Sequence, residues 1–346
     1  VGIAAYLKSR LIVQRLYVSS LQMTNIGEDR ICDALLGNAN LKEFIMDSNP
    51  NSGDSGQKLF QVFSKCQNLS IVSLKGKKFT PESAAKMGKG IEMAPRLQIL
   101  ALEECNLNGS ILAPICEGAR NNLKLAKLSL NKNSLDVNAA NVLGRFLEES
   151  RSIQEIELAE CNIGDQEMDA MSVGLKKSPN LYYVNLNKNE IGVQGGYVFA
   201  EMISTNKGIQ ILELANNRIG TSTTSIAEVL MNTKGCRLEE LDLEDNNIEQ
   251  SSADMLYQAL RENRYLRRLS IKSNPFNPEK FTNLYFTNPL LEIEWTPEML
   301  EISRKPTSPR KKKDSSKKNN KKDEGGNDAP MARGGEEEEE KKRGDQ

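Results

Sequence analysis

A short pattern of alternating apolar and polar residues recurs along the chain. The segment Leu181–Ile191, LYYVNLNKNEI, fits the frame LxxLxLxxNxI, and successive copies of this frame are 28 residues apart in eight steps and 29 residues apart in one. Self-similarity at a fixed period of this length predicts a solenoid of stacked repeats. The first apolar position of each copy is Val13, Leu41, Leu69, Leu97, Leu125, Ile153, Leu181, Ile209, Leu238 or Leu266.

Each copy predicts one short strand followed by one helix. In Leu128-Ser-Leu130 apolar and polar residues alternate, which is typical of a strand with one buried face. Behind another strand, Met168, Met171 and Leu175 are spaced by three and four, which places them on one face of a helix. A helix is wider than the roughly 4.8 Å between neighbouring strands. The stack must therefore curve into a right-handed α/β horseshoe, with a parallel β-sheet on the concave face and helices on the convex face.

The pattern divides the chain into a repeat domain and a tail. Residues 1–296 hold about ten repeats and a C-terminal cap, which is predicted from a short helix near Pro278–Phe286 and an imperfect copy at Leu290–Trp295. Because Val1 opens on an apolar, helix-like segment, we expect the array to begin upstream of this sequence. Residues 297–346 lose their apolar content and are predicted to be a disordered, charged tail.

An asparagine recurs where each strand pattern ends. It is replaced by Cys105 and Cys161 in two copies and by Lys77 in one. At this point the chain leaves the strand through a turn whose buried backbone groups need partners, which an inward amide can supply. We therefore interpret this position as structural. The asparagines are Asn49, Asn133, Asn189, Asn217, Asn246 and Asn274.

The period and the sharing of one position by Asn and Cys resemble the ribonuclease-inhibitor-like class of leucine-rich repeats. Similar architectures occur in ribonuclease inhibitor, the Ran GTPase-activating protein, the sensor arrays of NOD-like receptors and actin-regulating scaffolds of the CARMIL type. The resemblance covers residues 1–296 and rests on core-forming positions. It implies a leucine-rich-repeat solenoid that acts as a non-catalytic protein-protein interaction scaffold.

Charge is distributed unevenly along the chain. The formal net charge is −1, but residues 304–346 hold 14 Lys or Arg against 10 Asp or Glu, which leaves 32 against 37 for the rest. The strand residues between the buried leucines point into the concave face, and in the sixth to ninth copies they include nine acids and one lysine. Such a surface predicts a protein partner with a basic surface and salt-sensitive binding. The candidate partner-binding residues are Glu155, Glu157, Glu160, Tyr183, Asn185, Lys188, Glu213, Glu240, Asp242 and Glu244.

The tail carries a second set of candidate residues. Ser308 precedes a proline and is a candidate for proline-directed phosphorylation, next to the basic run Arg310, Lys311, Lys312 and Lys313. One interpretation is a nuclear-import or polyanion-binding segment, and the alternative is a solvated linker. A third hypothesis is that the basic tail contacts the acidic concave face and competes with the partner.

Catalysis and cofactor binding have little support in the residues. The chain has no histidine, its six cysteines form no CxxC pair, and no GxxxxGK[ST] phosphate loop occurs. We therefore expect no enzyme activity, no metal and no cofactor, and the acidic body argues against a nucleic-acid partner. Without an export signal or a run of 18 apolar residues, no membrane span is expected. The expected location is cytoplasmic, with a nuclear or cytoskeleton-associated location as the alternative.

One alternative function follows from the resemblance, namely GTPase activation as in the Ran activator. What is known of that family places an essential arginine in a loop after an early copy. The comparable loop here, Asp47–Gly56, contains no arginine, and the regular 28-residue steps leave no room for longer loops. This alternative therefore rests on the fold alone.

Overall fold

Every predicted copy contributes one strand to a single parallel sheet. The structure, a computed structural model, describes residues 2–9, 12–49, 58–232, 236–296 and 299. Within these ranges eleven strands pair in sequence order, each parallel to its neighbours. They lie in one unit, Val1–Lys305, and residues 306–346 lie outside the described residues.

Strands and helices alternate along this unit. The strands are β1 Arg15–Tyr17, β2 Glu43–Ile45, β3 Ile71–Ser73, β4 Ile99–Ala101, β5 Lys127–Ser129, β6 Glu155–Glu157, β7 Tyr183–Asn185, β8 Ile211–Glu213, β9 Glu240–Asp242, β10 Arg268–Ser270 and β11 Glu292–Glu294. The helices are α1 Gly2–Ser9, α2 Asn25–Leu35, α3 Leu59–Lys65, α4 Pro81–Glu92, α5 Gly109–Asn121, α6 Val137–Glu149, α7 Asp165–Lys177, α8 Val193–Thr205, α9 Thr223–Met231, α10 Gln250–Glu262 and α11 Leu284–Thr287.

The register of the sheet sets the direction of every strand side chain. In β7 the middle residue, Val184, is fully buried, and its neighbours Tyr183 and Asn185 face away from the helices. Equivalent residues of neighbouring strands lie side by side, as Glu157 does with Asn185. We call the face without helices the concave face. The first residues of the strands form its first column, and the third residues form its second column.

The helices cover the opposite side of the sheet, as their apolar spacing predicts. In α7 the residues Met168, Met171 and Leu175 are fully buried. Helices α6 and α7 approach closely, because a Cβ atom added to Gly174 would lie only 2.1 Å from the carbonyl oxygen of Gly144. Glycine at this position therefore allows the two helices to pack backbone against backbone.

The segment after the tenth copy folds into short helices and one more strand. A 3₁₀ helix at Pro278–Asn283 leads into α11, and the imperfect last copy forms β11. Phe281 and Leu284 are buried, and Trp295 packs against the core from a partly buried position. These apolar side chains shield the open end of the repeat core from water, which a solenoid requires at its last unit.

The recurring asparagines join each repeat to the one before it. Asn189 donates from Nδ2 to the carbonyl oxygens of Leu158 at 2.8 Å and Leu186 at 2.9 Å. Its Oδ1 accepts the backbone N–H groups of Cys161 at 2.9 Å and Ile163 at 3.1 Å. The amide thus satisfies buried backbone groups on both sides of the turn. This arrangement confirms the structural interpretation of the asparagine position.

The two cysteines at this position make a weaker form of the same contact. The thiols of Cys105 and Cys161 lie 3.3 Å from the carbonyl oxygens of Leu74 and Leu130, respectively. A thiol is only a weak donor, and it offers less than an amide for the N–H groups of the preceding turn. Where the chain has a cysteine, the repeat junction therefore depends more on the asparagines of neighbouring copies.

In the third copy Lys77 occupies the position that asparagine holds in most others. Its side chain is fully buried, and its Nζ lies 2.6 Å from Oε2 of Glu28, a residue of α2 whose side chain is 6 % exposed. A buried ammonium group is very unfavourable unless a carboxylate compensates it. Glu28 in α2 therefore compensates the charge of Lys77, which stands at the asparagine position of the third copy.

A second row of buried asparagines, absent from the sequence-based predictions, lies at the C-terminal ends of helices such as α5 and α8. Asn122 donates from Nδ2 to the carbonyl oxygens of Ile91 and Ala94, at 2.6 and 2.8 Å. Asn206, three periods further on, makes the equivalent bonds to the preceding repeat at 3.0 Å. The sequence signal was available, because Asn38, Asn122 and Asn206 are separated by whole multiples of the period.

Replacing Asn189 by alanine tests the importance of the first ladder. The variant leaves two N–H groups and two carbonyl groups in the interior without their partner, so the free energy of unfolding should fall by about 2–4 kcal/mol. Denaturant titration followed by circular dichroism measures this change. The control is Asn141→Ala on the exposed side of α6, which should stay within about 0.5 kcal/mol of the wild type. Equal stability of the two variants would contradict a structural role for the ladder.

Candidate protein-binding face

The concave face has two chemically different halves. Over β2–β4 its two columns carry partly exposed apolar side chains, namely Ile45, Ile71, Ile99 and Ala101. From β5 onward the columns are mainly charged and polar. The apolar half was not among the sequence-based candidates, because isoleucine in a short strand pattern resembles a core residue. Only the register places these side chains on the outer face.

The candidate residues lie on this face and at its edge. The first column holds Glu155, Tyr183 and Glu240, and the second holds Glu157, Asn185, Glu213 and Asp242. Glu160, Lys188 and Glu244 follow the strands, at the turns. The regular period therefore brings together residues that are 28 or more positions apart in the chain.

Most of the candidate acids already have a basic neighbour from another repeat. Lys127 of β5 lies between two of them, forming an ion pair with Glu157 and lying 3.3 Å from Glu155. The remaining pairs are Lys188–Glu160 at 3.2 Å, Arg268–Glu240 at 2.9 Å and Lys272–Glu244 at 3.7 Å. Partly exposed pairs of this kind add little to stability. They do neutralise much of the acidic excess that the sequence suggested.

Two candidate acids have no such partner. Among the described residues, Glu213 and Asp242 form no ion pair, although they are direct neighbours in the second column. Glu213 accepts a hydrogen bond from Nδ2 of Asn187 at 2.9 Å, and Asp242 accepts one from the backbone N–H of Glu244 at 3.0 Å. The pKa of Glu213 is raised, first by partial burial and further by the negative charge of Asp242. Negative charge is thus left without a basic partner at this point of the concave face.

Tyr183 lies at the centre of the charged half. The ammonium group of Lys127 lies 5.8 Å from the centre of its ring, and Asn185 donates a hydrogen bond to its hydroxyl at 3.4 Å. Partial burial is the main reason why the pKa of this phenol is raised, and the nearby Glu213 carboxylate adds to the shift. Tyr183 is therefore a neutral, half-buried aromatic surface with a polar tip, a type of side chain that is enriched at interfaces.

Some sequence-based candidates cannot be placed. Ser308, Arg310, Lys311, Lys312 and Lys313 lie outside the described residues. Most of the loop compared with the Ran activator, residues 50–56, also lies outside them. The tail hypotheses and the loop comparison therefore stay predictions.

The cysteines offer no reactive group. All six are buried free thiols. Burial raises the pKa of Cys66 to about 11 and the pKa values of Cys105 and Cys161 to about 12. A thiol with such a pKa carries almost no thiolate at neutral pH, and the thiolate is the nucleophile and the metal ligand. Across the described ranges no group of three or more Cys, Asp or Glu residues is arranged to hold a metal ion, and no helix is long and apolar enough to cross a membrane.

Comparison with known proteins gives the class. No family model matches the chain. Pig ribonuclease inhibitor is 22 % identical over 300 residues, which cover 78 % of this chain and 66 % of the inhibitor. Human NACHT, LRR and PYD domains-containing protein 5 is 24 % identical over 220 residues, 62 % of this chain and 18 % of that protein. The crystal structure of a complex of TLR13 with ssRNA13 matches 79 % of this chain and 41 % of that chain, with 15 % identity and a TM-score of 0.45.

These relatives, together with the eleven-stranded parallel sheet, confirm two predictions. The chain is similar in sequence to ribonuclease inhibitor and to a NACHT, LRR and PYD protein, as the resemblance implies, and its fold is an α/β leucine-rich-repeat solenoid. The relatives also support a protein-interaction scaffold as its general role. The chain spans about two thirds of the inhibitor's length and about a fifth of the human protein's length.

The burial of the thiols predicts that they are chemically inert in the native state. An aromatic disulfide reagent at pH 7.5 should leave all six cysteines unmodified over the period in which free cysteine reacts completely, because thiolate formation and access are both suppressed. Absorbance of the released thiolate measures the reaction. As a control, the protein in guanidinium chloride should release six equivalents. Rapid labelling of any cysteine without denaturant would contradict the burial described here.

The raised pKa of Glu213 predicts a pH-dependent stability. A carboxyl group with a higher pKa in the folded state makes the protein less stable as pH rises from the unfolded-state value of about 4.3 through the folded-state value. Glu213→Gln removes this effect. Its thermal midpoint should therefore exceed that of the wild type at pH 7.5, and the difference should shrink towards pH 4.5. In an Asp242→Asn background the gain should be smaller, because the neighbouring charge is absent. A lower midpoint for Glu213→Gln at pH 7.5 would contradict this account.

Proposed function

We propose that this protein is a non-catalytic scaffold that binds a protein partner with a basic surface on its concave face. The observation that carries the proposal is the charge of the two columns over β6–β11, which hold seven acids and one arginine. Although several of these acids are paired, the face keeps a net negative charge in its C-terminal half. Such a field attracts a basic partner and aligns it during association.

The construction of the face favours binding without large rearrangement. Its side chains are fixed by hydrogen bonds and ion pairs between strands, as when Asn131 donates to Glu157 at 3.1 Å beside Lys127. Side chains that are ordered before association lose less conformational entropy when the partner binds. A stiff sheet with ordered charged columns is therefore suited to recognise a complementary surface.

The apolar half adds a second requirement for the partner. Ile45, Ile71, Ile99 and Ala101 form an apolar area on β2–β4, beside the charged columns. Interfaces commonly combine an apolar centre with a charged surround. We expect a partner surface that is apolar opposite β2–β4 and basic opposite β6–β11. The relative named ribonuclease inhibitor lends support to an inhibitory or regulatory complex, since its name describes binding to an enzyme.

The tail extends this proposal. Phosphorylation of Ser308 or the basic run Arg310–Lys313 would regulate or localise the scaffold. If the tail contacts the concave face, a separate peptide of the basic run would compete with the partner for that face. GTPase activation, the other function raised by the resemblance, is favoured by no observation on the described residues.

The proposal is tested by reversing charge where the fold can tolerate it. In the variant Glu155→Lys with Glu244→Lys, Lys127 keeps Glu157 as a partner and Lys272 keeps Glu294, which lies 2.6 Å away. We expect the thermal midpoint to change little and the capture of a basic protein from cell extract to fall about tenfold or more. Quantitative mass spectrometry of the captured material, at low and high salt, measures the effect.

A matched control makes the same charge change on the helices. Asp169 in α7 and Glu262 in α10 are exposed, so Asp169→Lys with Glu262→Lys alters the net charge equally but leaves the concave face intact. This variant should capture the partner as well as the wild type does. Loss of capture with the helix variant, or unchanged capture with the concave variant, would move the interface away from the concave face.

A further inference from the structure

A small notch lies in the concave face over β8–β10. Its floor is a stretch of the second column, in which Glu213, Asp242 and Ser270 follow one another across three strands. Neighbouring strands are roughly 4.8 Å apart. Because the three residues occupy equivalent strand positions, their side chains lie side by side on the same face of the sheet. The cavity above them has a volume of about 150 Å³. This volume can hold the charged end of one side chain, but it is too small for a typical organic ligand.

Among the described residues, the two carboxylates of the notch accept hydrogen bonds from uncharged groups, Glu213 from Asn187 and Tyr183 and Asp242 from a backbone N–H. The other candidate acids of this face are in ion pairs, whereas neither Glu213 nor Asp242 forms one within the described part of the chain. They repel each other, and this repulsion contributes to the raised pKa of Glu213. A cation placed between them would remove the repulsion and compensate both charges.

Ser270 provides a second, independent indication of a ligand. Its side chain lines the notch and is only 8 % exposed, yet its hydroxyl has no hydrogen-bond partner among the described residues. Buried hydroxyl groups in proteins are nearly always hydrogen-bonded. By contrast Ser129, the equivalent residue of β5, donates to Glu103 at 2.8 Å. A hydroxyl group can both donate and accept, so an N–H group of a ligand is a suitable partner for it.

The charged residues in the walls of the notch determine whether it attracts a cation or an anion. Arg268 pairs with Glu240 at 2.9 Å, and Lys272 pairs with Glu294 at 2.6 Å. Both basic residues are thus neutralised by acids that also line the cavity. With Glu213 and Asp242 added, four acids face two bases, for a formal charge of −2. An anion would meet a repulsive field, whereas a cation is attracted.

We infer that this notch receives an arginine side chain of the protein partner. A guanidinium group is planar and carries five N–H donors, so it can bond to both carboxylates and to the Ser270 hydroxyl at once. It is also more weakly hydrated than an ammonium group, which matters because Glu213 is already partly withdrawn from water. The inference rests on the proposed function and names the chemical group by which the partner is recognised.

The test uses the full chain and a defined probe. The tripeptide amide Ac-Gly-Arg-Gly-NH₂ is titrated into ¹⁵N-labelled protein, with the lysine and citrulline analogues as comparison probes. We expect the arginine probe to shift the backbone amide signals of Asp242 and Ser270, and the lysine probe to bind about fivefold more weakly. The uncharged citrulline analogue should cause no saturable shift. Equal binding of arginine and citrulline would overturn the inference.

Substitutions then locate the binding. Glu213→Gln with Asp242→Asn should abolish the shifts, whereas Asp245→Asn, a charge removal at an exposed residue three positions from Asp242, should leave them unchanged. Ser270→Ala should weaken the arginine probe severalfold without lowering the thermal midpoint, because it removes a hydroxyl that lacks a partner in the free protein. Unchanged probe binding in the double variant would reject the notch as the site.

The outcomes separate this inference from the proposed function. If reversal at Glu155 and Glu244 abolishes partner capture but the notch variants change neither capture nor probe binding, the scaffold proposal stands and the arginine notch is wrong. If the probe binds in the notch but partner capture survives charge reversal on the concave face and the notch variants, the notch binds arginine, but its role in recognising the partner is overturned together with the proposed interface.

Discussion

The structure depends on one constraint, which is the need to satisfy backbone groups that each turn buries between the sheet and the next repeat. Asparagine meets this need because one amide both donates and accepts, so Asn189 binds carbonyl groups of two repeats and N–H groups of the earlier one. Because the partner groups recur at each turn, the solution recurs too, and the spacing of the asparagines imposes the spacing of the strands. A second row of asparagines, which includes Asn122 and Asn206, does the same at the C-terminal ends of the helices.

The same regularity creates the binding face. Since equivalent residues lie side by side across parallel strands, whatever the chain places at one strand position becomes a column on the concave face. Opposite charges on neighbouring strands then form ion pairs, as Lys127 does with Glu155 and Glu157. A charge count along the chain therefore overstates the field of the surface. What matters is where compensation fails, as it does at Glu213 and Asp242.

Exceptions to the repeat show how strongly the interior controls its residues. At the third ladder position a lysine replaces asparagine, and Glu28, two repeats earlier, supplies the compensating charge. At Cys105 and Cys161 a thiol is tolerated, but it becomes a buried group with a pKa of about 12 and no chemical role at neutral pH. A residue that replaces asparagine inside the core is thus accommodated by its buried neighbours. Residues on the concave face do not have this packing constraint and can serve recognition.

The sequence by itself determined the fold, the repeat boundaries and the role of the asparagine position, because these depend on local periodicity that any copy displays. It also identified which strand positions lie on the concave face. It could not determine which charges remain free, because Lys127, Arg268 and Lys272 reach acids of neighbouring repeats, and pairing depends on distances across the sheet. Nor could it reveal the apolar half around Ile71 and Ile99 or the unpartnered hydroxyl of Ser270. Those features arise only when the register brings distant residues into one surface, so they belong to the tertiary structure.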